Sequence, residues 1–351
     1  MTCARTELWS ARSLSIAFQT DKAPAEYVAL AQLVERYDFD VVSVYCDAPF
    51  HPSYGPLLLM APHLTRARLG PAAVSPFRIH PIDIAAETAL LAGLARDGVY
   101  VGLARGAWLG DYGIQEPQQP VQALREAVEI VRGLLSGELH GYEGKVYRIA
   151  SHVRAPYPLP QERIPILIGT WGKRLAGLAG ELADEVKVGG SANPDFAPVM
   201  LGYIREGERR GKRPPDSVRL VMGAVCVVDE DRRLARQKAR EAAALYLPVV
   251  APLDPTAQVE PELLGRLQKL VEAGRANDAT GLISNEILDR FAFAGNPGDI
   301  IAQAEALFSA GVGRIEFGTP HGLDSHTGIR LLGERVLPEL RRLNKATNLA
   351  G

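Results

Sequence analysis

The stretch IPILIGTWGKRLAGLAGELADEVKVGGSANP, residues Ile164–Pro194, contains one complete unit of the fold. A short apolar run, Ile164–Gly169, is typical of a buried strand, and the longer run Lys173–Ala183 is typical of an amphipathic helix. A second apolar run, Glu185–Gly189, begins the next unit. A strand, a helix and a strand in this order predict two parallel strands joined by a helix.

The same alternation runs along the rest of the chain. The runs predicted as strands are Ser13–Gln19, Asp40–Cys46, Ala67–Val74, Gly98–Ala104, Ile164–Gly169, Glu185–Gly189, Val218–Val228 and Gly313–Phe317. Eight such units predict an α/β fold of the (β/α)8 TIM-barrel type. A doubly wound sheet is disfavoured because no GxGxxG sequence follows the first strand, where residues 15–20 read SIAFQT.

Two segments are longer than a minimal barrel requires. Residues 107–163, after the fourth strand, include a predicted small hairpin at His140–Ile149. Residues 229–291, after the seventh strand, read as a long helical stretch. Both follow strand ends on the face where TIM barrels carry their active sites. We therefore expect one domain spanning residues 1–351, with two insertions that shape a substrate site.

Composition excludes several classes of protein. The chain has 351 residues, 47% of them hydrophobic, and a net charge of -2, so it lacks the basic field that a nucleic-acid partner requires. The longest stretch without full charges, residues 48–65, contains four prolines and is unsuited to a membrane helix. Cys3, Cys46 and Cys226 lie far apart, which gives no metal-binding spacing and favours a reducing cytoplasm.

The predicted carboxyl ends of the strands offer few groups for acid–base or nucleophilic chemistry. They contain no GxSxG or HExxH sequence and are rich in glycine, small residues, aromatics and amides. Such a lining suits a flat conjugated cofactor that brings its own chemistry. At the fifth strand end, residues 171–174 (WGKR) open a helix and favour a phosphate group, with a solvated helix start as the alternative.

Four ordered segments resemble the luciferase-like family of flavin and deazaflavin (F420) oxidoreductases. They are LGPAAVSPFRIHP at Leu69–Pro81, GLARGAWLGDYGI at Gly102–Ile114, the stretch Ile164–Pro194, and FAFAGNPGDIIAQAEALFSAGVGRIEFGTPHG at Phe291–Gly322. Within this family the SANP and GTPHG stretches favour the branch of the methylenetetrahydromethanopterin reductases. The resemblance therefore implies coenzyme F420, with FMN as the alternative cofactor.

The resemblance also implies a set of cofactor-binding residues at the C-terminal mouth of the barrel. Asp47 would approach the deazaflavin ring, Ala72 and Ala73 would form a non-prolyl cis peptide behind it, and Arg105 and Gly106 would line its edge. The ribityl-phosphate side would be held by Trp171, Gly172, Lys173, Ser191, Ala192 and Asn193.

The activity implied is hydride transfer from reduced F420 to an activated C=N or C=C bond of a small molecule or modified peptide. Ala107 stands where some F420-dependent members carry a glutamate, so we expect the proton to come from Asp47, His51 or water. One alternative is an FMN-dependent monooxygenase, and another is a non-catalytic cofactor-binding barrel that partners an enzyme. The family further suggests a homodimer.

Several other residues are open to two interpretations. His321 could be a general acid or a hydrogen-bonded loop histidine. Glu316, inside the eighth strand, could bind substrate or pair with an arginine such as Arg314. Tyr45 and Trp108 could stack on a ligand or pack in the core.

Overall fold

The computed structural model describes residues 12–350, except for the side chains of Ala276 and of residues 346–350. Its strands, in chain order, are β1 (Ser13–Phe18), β2 (Val41–Val44), β3 (Arg68–Pro71), β4 (Val101–Ala104), β5 (Tyr142–Glu143), β6 (Arg148–Ile149), β7 (Ile166–Gly169), β8 (Glu185–Gly189), β9 (Arg219–Val228), β10 (Ala292–Gly295) and β11 (Arg314–His321). Its helices are α1 (Pro24–Val34), α2 (Tyr54–Met60), α3 (Pro81–Ala92), α4 (Pro120–Ser136), α5 (Lys173–Leu182), α6 (Ala197–Arg210), α7 (Arg232–Ala244), α8 (Leu247–Val250), α9 (Pro261–Glu272), α10 (Asn285–Phe291), α11 (Pro297–Ser309), α12 (Ser325–Leu331) and α13 (Leu337–Ala350).

Eight parallel strands form the barrel, in the order β3-β2-β1-β11-β9-β8-β7-β4. Parallel bridges between Leu69 and Val99 and between Val74 and Leu103 join the two ends of this sheet. The predicted TIM barrel is therefore confirmed, and each of the eight predicted strands corresponds to one barrel strand. The eighth strand runs four residues further than predicted, to His321, and its register shifts after Gly318.

One strand is absent from the sequence prediction. Strand β10 pairs with Val225–Val228 of β9, above the point where β8 stops pairing at Gly223. Its sequence, Ala-Phe-Ala-Gly, contains no β-branched residue and follows a helix directly, so it has a weak strand signal. Helix α12, which follows β11, begins at Ser325 because the Asp324 side chain caps it by accepting from the Thr327 N–H at 2.7 Å.

The insertion after β9 has an apolar core of its own. Ala235, Ala239 and Ala243 repeat every four residues along α7, and all are fully buried against a cluster that includes Leu288 and Phe291 of α10. Alanine side chains let α7 pack closely, so this insertion lies against β9 and β10. It is thereby placed beside the carboxyl ends of β8 and β9.

The insertion after β4 contains the predicted hairpin, which a buried carboxylate holds in place. Glu126 of α4 accepts hydrogen bonds from the backbone N–H groups of Lys145, Val146 and Tyr147 at 2.7–2.9 Å. Burial would raise the pKa of Glu126, but these bonds and one from Gln122 outweigh it and lower the pKa. The hairpin is thus a fixed part of the fold.

Two further features of the described residues concern the cysteines and the helices. Cys46 and Cys226 are buried free thiols, and Cys3 lies outside the described residues. No helix in the described part of the chain is long and apolar enough to cross a membrane.

Candidate functional site

Small residues at the carboxyl ends of β3 and β4 form a floor at the barrel mouth. The peptide bond between Ala72 and Ala73 is cis, as the resemblance implied. Both alanines are half-buried, and the Ala72 N–H donates to the Val44 carbonyl oxygen at 2.8 Å. A Cβ on Gly102 would overlap the carbonyl oxygen of Pro71 and lie 3.3 Å from the Ala73 Cβ. A glycine is therefore required behind this floor.

Asp47 and His51 lie together on the loop after β2. The Asp47 carboxylate is half-buried and accepts a hydrogen bond from the Gln19 side-chain amide, with 3.3 Å between Nε2 and Oδ2. Gln19 is oriented in turn, because its Oε1 accepts from the Thr20 backbone N–H at 2.9 Å. The His51 side chain is exposed, and its backbone N–H donates to the Thr20 carbonyl oxygen at 3.1 Å. Both predicted proton donors thus share one loop, and Gln19 fixes Asp47.

Arg105 and Gly106 lie where β4 ends. The Arg105 guanidinium is exposed and pairs with Glu116, with 2.5 Å between Nη2 and Oε2. The Arg105 carbonyl oxygen accepts from the Ser75 hydroxyl at 2.5 Å. Gly106 has a φ of +92°, which favours glycine, and a Cβ there would lie 3.2 Å from Ser75 and from Leu109. The backbone at Arg105 and Gly106 therefore packs tightly against the loop after β3.

Three exposed aromatic side chains stand on the loops after β2 and β4: Phe50, Trp108 and Tyr112. The Tyr112 hydroxyl donates to the Ala48 carbonyl oxygen at 2.8 Å, which ties the two loops together. Trp108 has a left-handed φ of +53° and is 43% exposed, so the interpretation that it packs in the core is wrong. These rings form an apolar surface on the loops beside Asp47 and Arg105.

The segment after β7 has the features predicted for a phosphate site. Gly172 is the N-cap of α5, and no side chain of the described residues caps that helix, so its first N–H groups are left for another acceptor. The Lys173 side chain beside them is exposed. Trp171 stacks on Phe196 with 5.3 Å between ring centroids, and its indole N–H donates to the Gly189 carbonyl oxygen at 3.0 Å. Trp171 is thereby fixed to the loop after β8.

Ser191, Ala192 and Asn193 are buried in the loop after β8. The Ala192 N–H donates to the Arg290 carbonyl oxygen at 2.9 Å. The Asn193 amide donates to the Asp254 carboxylate at 2.8 Å, and its oxygen accepts from the backbone two residues further on at 3.2 Å. These bonds connect the loop to the second insertion. The cofactor-binding role of these three residues stays a prediction.

A set of buried charges lies inside the barrel. Glu316 of β11 is fully buried, pairs with the Lys187 ammonium of β8, and accepts from the Ser43 hydroxyl at 2.6 Å. Arg314 pairs with Glu185 at 2.6 Å and lies 3.6 Å from Glu316. The expectation of a paired Glu316 is confirmed, although its main partner is Lys187 and not Arg314. Since this carboxylate is fully buried, it does not face a substrate.

The buried charges inside the barrel shift the pKa values of Glu316 and Tyr45. Burial would raise the pKa of Glu316, but the attraction of Lys187 and Arg314, with the hydrogen bonds from Lys187 and Ser43, outweighs it and lowers the pKa. The Lys187 ammonium lies 5.1 Å from the centroid of the Tyr45 ring. Burial, with the negative charge of Glu316, raises the pKa of Tyr45 well above its usual value. Tyr45 is half-buried, so its stacking on a ligand stays a prediction.

His321 is fully buried at the end of β11. Its Nε2 lies 3.1 Å from the Ala17 carbonyl oxygen, and its ring centroid lies 5.2 Å from that of Phe18. Burial lowers the pKa of His321 to about 4, so near pH 7 the ring is neutral and Nε2 donates to Ala17. The hypothesis that His321 is a general acid is wrong, and its role is to bind β11 to β1.

Sequence reasoning missed two residues at this site, Gln19 and Glu116. Gln19 directly follows β1, and Asp47 lies on the loop after β2. These two strands are neighbours and parallel, so their carboxyl ends lie on the same face, and this signal in the sequence could have placed Gln19 near Asp47. Glu116 lies eleven residues beyond Arg105, within an insertion. The hydrophobic pattern there does not predict where the Glu116 side chain lies in the fold. Glu116 supplies a carboxylate near the strand end that Ala107 leaves without one.

The residues present fit a flat cofactor with a phosphate group. Ala72, Ala73 and Gly106 leave a floor without long side chains, and the N-terminus of α5 offers N–H groups and Lys173. No group of three or more His, Cys, Asp or Glu side chains is placed to hold a metal ion in the described part of the chain.

Known proteins similar to this chain match it along nearly its whole length. Residues 4–314 match the luciferase-like monooxygenase family. The 5,10-methylenetetrahydromethanopterin reductase of Methanopyrus kandleri is 26% identical over 350 residues, which cover 94% of this chain and 99% of that protein. The F420-dependent glucose-6-phosphate dehydrogenase of Nakamurella multipartita is 27% identical over 334 residues, which cover 91% and 94%.

Solved structures show the same fold. The coenzyme F420 dependent tetrahydromethanopterin reductase from Methanopyrus kandleri superimposes with a TM-score of 0.86 at 23% identity, covering 94% of this chain and all of that one. An F420-dependent secondary alcohol dehydrogenase in complex with an F420-acetone adduct superimposes with a TM-score of 0.76 at 17% identity, covering 94% and 99%.

Proposed function

The chain belongs to the luciferase-like monooxygenase family, and from that membership we propose that it is an F420-dependent oxidoreductase. It transfers hydride from reduced deazaflavin to an activated C=N or C=C bond of a small molecule or modified peptide. The observation that carries this proposal is the near full-length similarity to F420-dependent relatives with different substrates, a reductase and a sugar-phosphate dehydrogenase.

The residues at the barrel mouth would hold the cofactor. Ala72 and Ala73 would pack behind the ring, Arg105 and Gly106 would line its edge, and Asp47 would approach it. The α5 N-terminus with Gly172 and Lys173, beside Trp171 and the loop Ser191–Asn193, would hold the phosphate side. When bound, reduced F420 supplies a hydride, which carries both electrons to the acceptor carbon.

The protein positions the acceptor, excludes water and delivers one proton to the other atom of the double bond. Asp47 or His51, which share the loop after β2, delivers that proton directly or through water. Phe50, Trp108 and Tyr112 form one wall of the substrate site, because they stand exposed on the loops beside Asp47 and Arg105. This wall suits an acceptor with a flat or apolar face.

The test is reconstitution of the purified protein with F420 and, separately, with FMN. We expect F420 to stay bound through gel filtration and its reduced form to be reoxidised when a C=N or C=C acceptor is added. Retention of FMN alone, with oxygen uptake in the presence of an acceptor, would favour the monooxygenase. Tight F420 binding with no transfer to any acceptor would favour a non-catalytic partner protein.

We further propose that residues 1–351 form one domain and that the protein is a cytoplasmic homodimer. Three large apolar side chains are exposed on the neighbouring helices α2 and α3: Leu59 on α2, Leu90 on α3, and Leu94 just after α3. An exposed apolar patch of this kind is typical of a subunit interface. Sedimentation velocity is expected to give twice the chain mass of 37.9 kDa. L90E/L94E is expected to sediment as a monomer, whereas exposed Leu253→Glu leaves the mass unchanged.

A further inference from the structure

A groove runs along helix α7 in the second insertion. It consists of two adjoining cavities of about 360 and 340 Å³ that share Arg240. The first is lined by Arg232, Arg233, Arg236, Arg240 and Asn285, and the second by Gln237, Arg240, Thr280, Gly281 and Ile283. Both are shallow and open to solvent, so the groove is a surface depression along α7.

The arginines of α7 line this groove because their spacing in the sequence places them on one face of the helix. Arg232, Arg236 and Arg240 are four residues apart on one face of α7, and Arg233 lies beside them. The only acidic residue of α7 is Glu241, which pairs with Lys238. A solvated basic helix usually carries acidic partners three or four residues away, and this one offers none to its arginines.

Carboxylates from other elements neutralise only part of this charge. Arg232 pairs with Asp299 at 2.9 Å and Arg236 with Asp289 at 2.6 Å. Arg240 donates to neutral oxygens, among them the Ile283 carbonyl at 2.8 Å. Among the described residues, no carboxylate pairs with Arg233 or Arg240. Four guanidinium groups therefore face two carboxylates around one cavity.

The arginine at the centre of the groove is fixed before any ligand arrives. Arg236 is 5% exposed, and its guanidinium bonds to Asp289, to the Ala294 carbonyl oxygen at 3.2 Å and to the Asn285 side-chain oxygen at 3.1 Å. Burial and the nearness of Arg236 lower the pKa of Arg240, and the charge of Asp289 only partly offsets them. A bound anion would add a further negative charge beside Arg240.

We propose that this groove binds a small anion with two or more phosphate groups, at a site separate from the barrel mouth. The guanidinium fork matches phosphate oxygens and holds them with two bonds at once. Arg233 and Arg240 are seven residues, about 10 Å, apart along α7, so an anion that contacts both guanidinium groups must be longer than a single phosphate. The site is independent of the proposed hydride transfer.

The test is isothermal titration of the full-length protein with inorganic phosphate, pyrophosphate and tripolyphosphate, followed by ATP. We expect one equivalent of pyrophosphate or tripolyphosphate to bind, and inorganic phosphate to bind at least tenfold more weakly. R233Q/R240Q should weaken pyrophosphate binding about 100-fold, roughly tenfold for each guanidinium that no longer bonds to a phosphate oxygen. If ATP binds as tightly as tripolyphosphate, the ligand can be a nucleotide. If ATP does not bind, the ligand is a free polyphosphate.

Two matched variants separate this site from other positive surfaces. Arg209→Gln removes one exposed cation from α6, and Lys173→Gln removes the cation at the proposed cofactor phosphate site; both should leave pyrophosphate binding unchanged. Arg233 is exposed, so R233Q alone folds and should still bind about tenfold more weakly. No binding of pyrophosphate at millimolar concentration, or equal losses in R209Q and R233Q, overturns the proposal. A loss confined to K173Q assigns the phosphate to α5 instead.

Discussion

The Gln19 side-chain amide donates to the Asp47 carboxylate across two neighbouring strand ends, with 3.3 Å between Nε2 and Oδ2. Gln19 follows β1 and Asp47 follows β2, and these strands pair in parallel, so their carboxyl ends open on the same face. Because Thr20 holds the other end of the Gln19 amide, the donor is directed at Asp47 before substrate binds. In the proposed reaction Gln19 is therefore a positioning residue for Asp47.

Substitutions at this pair should separate positioning from proton transfer. Asp47→Asn is expected to lower kcat by about 100-fold, the smaller end of what a positioned acid or base contributes. Gln19→Leu should lower kcat by about tenfold and leave the Kd for F420 within about twofold, because the carboxylate is present but no longer held. Steady-state kinetics with fluorescence titration of F420 gives both values. Gln268→Leu, an exposed change on α9, is the control, and an unchanged kcat in D47N assigns the proton to His51 or water.

The floor behind the proposed deazaflavin ring should be intolerant of a single methyl group. A Cβ at residue 102 would overlap the Pro71 carbonyl oxygen and crowd the Ala73 Cβ, so Gly102→Ala must displace the backbone around Pro71–Ala73. We expect the Kd for F420 to rise at least tenfold, with a loss of about 1–3 kcal/mol in the free energy of unfolding.

Its control is Gly202→Ala on α6, where a Cβ would meet nothing within 4 Å among the described residues. That change should keep F420 affinity and raise stability slightly, because alanine favours helix. If G102A binds F420 as tightly as the unchanged protein while folding normally, the floor does not contact the ring.

Local signals were sufficient for the barrel but not for its connections. Runs such as residues 185–189 are predicted correctly because length and apolar character specify a buried strand. The Asn193–Asp254 hydrogen bond joins residues 61 positions apart, and the Lys187–Glu316 pair joins residues 129 apart. Periodicity gives no distance between such residues, so the buried charge pairs and the seating of the second insertion required the structure.

The pair Lys187–Glu316 should be costly to break on one side only. Glu316→Gln leaves the buried Lys187 ammonium without its carboxylate, and we expect the free energy of unfolding to fall by about 3–5 kcal/mol. K187M/E316L removes both charges, so it should recover a large part of that loss. Urea unfolding at pH 7 measures both values.

An exposed pair gives the comparison. Arg148 and Glu143 are both more than two-thirds exposed, so Glu143→Gln should change stability by less than about 1 kcal/mol. Equal effects of E316Q and E143Q would mean that the barrel charges contribute no more than surface pairs.

His321 predicts a specific dependence of stability on pH. Its pKa is about 4 in the folded protein and 6.5 ordinarily, so between these values the unfolded chain binds a proton that the folded chain does not. The free energy of unfolding should therefore fall as pH decreases from 6.5 to 4, by about 3 kcal/mol from this residue, and be unaffected by it above pH 7.

The variant His321→Asn isolates this contribution, because asparagine tolerates the φ of +73° at this position and does not titrate. At pH 7 it should be less stable than the unchanged protein, since it removes the bond to Ala17 and the ring packing against Phe18. As the pH falls to 4 the difference should shrink, because only the unchanged protein carries the cost of keeping a buried imidazole neutral. His51→Asn, at an exposed histidine, should keep the full slope, and parallel stability curves for H321N and the unchanged protein would show that His321 is not the group that titrates.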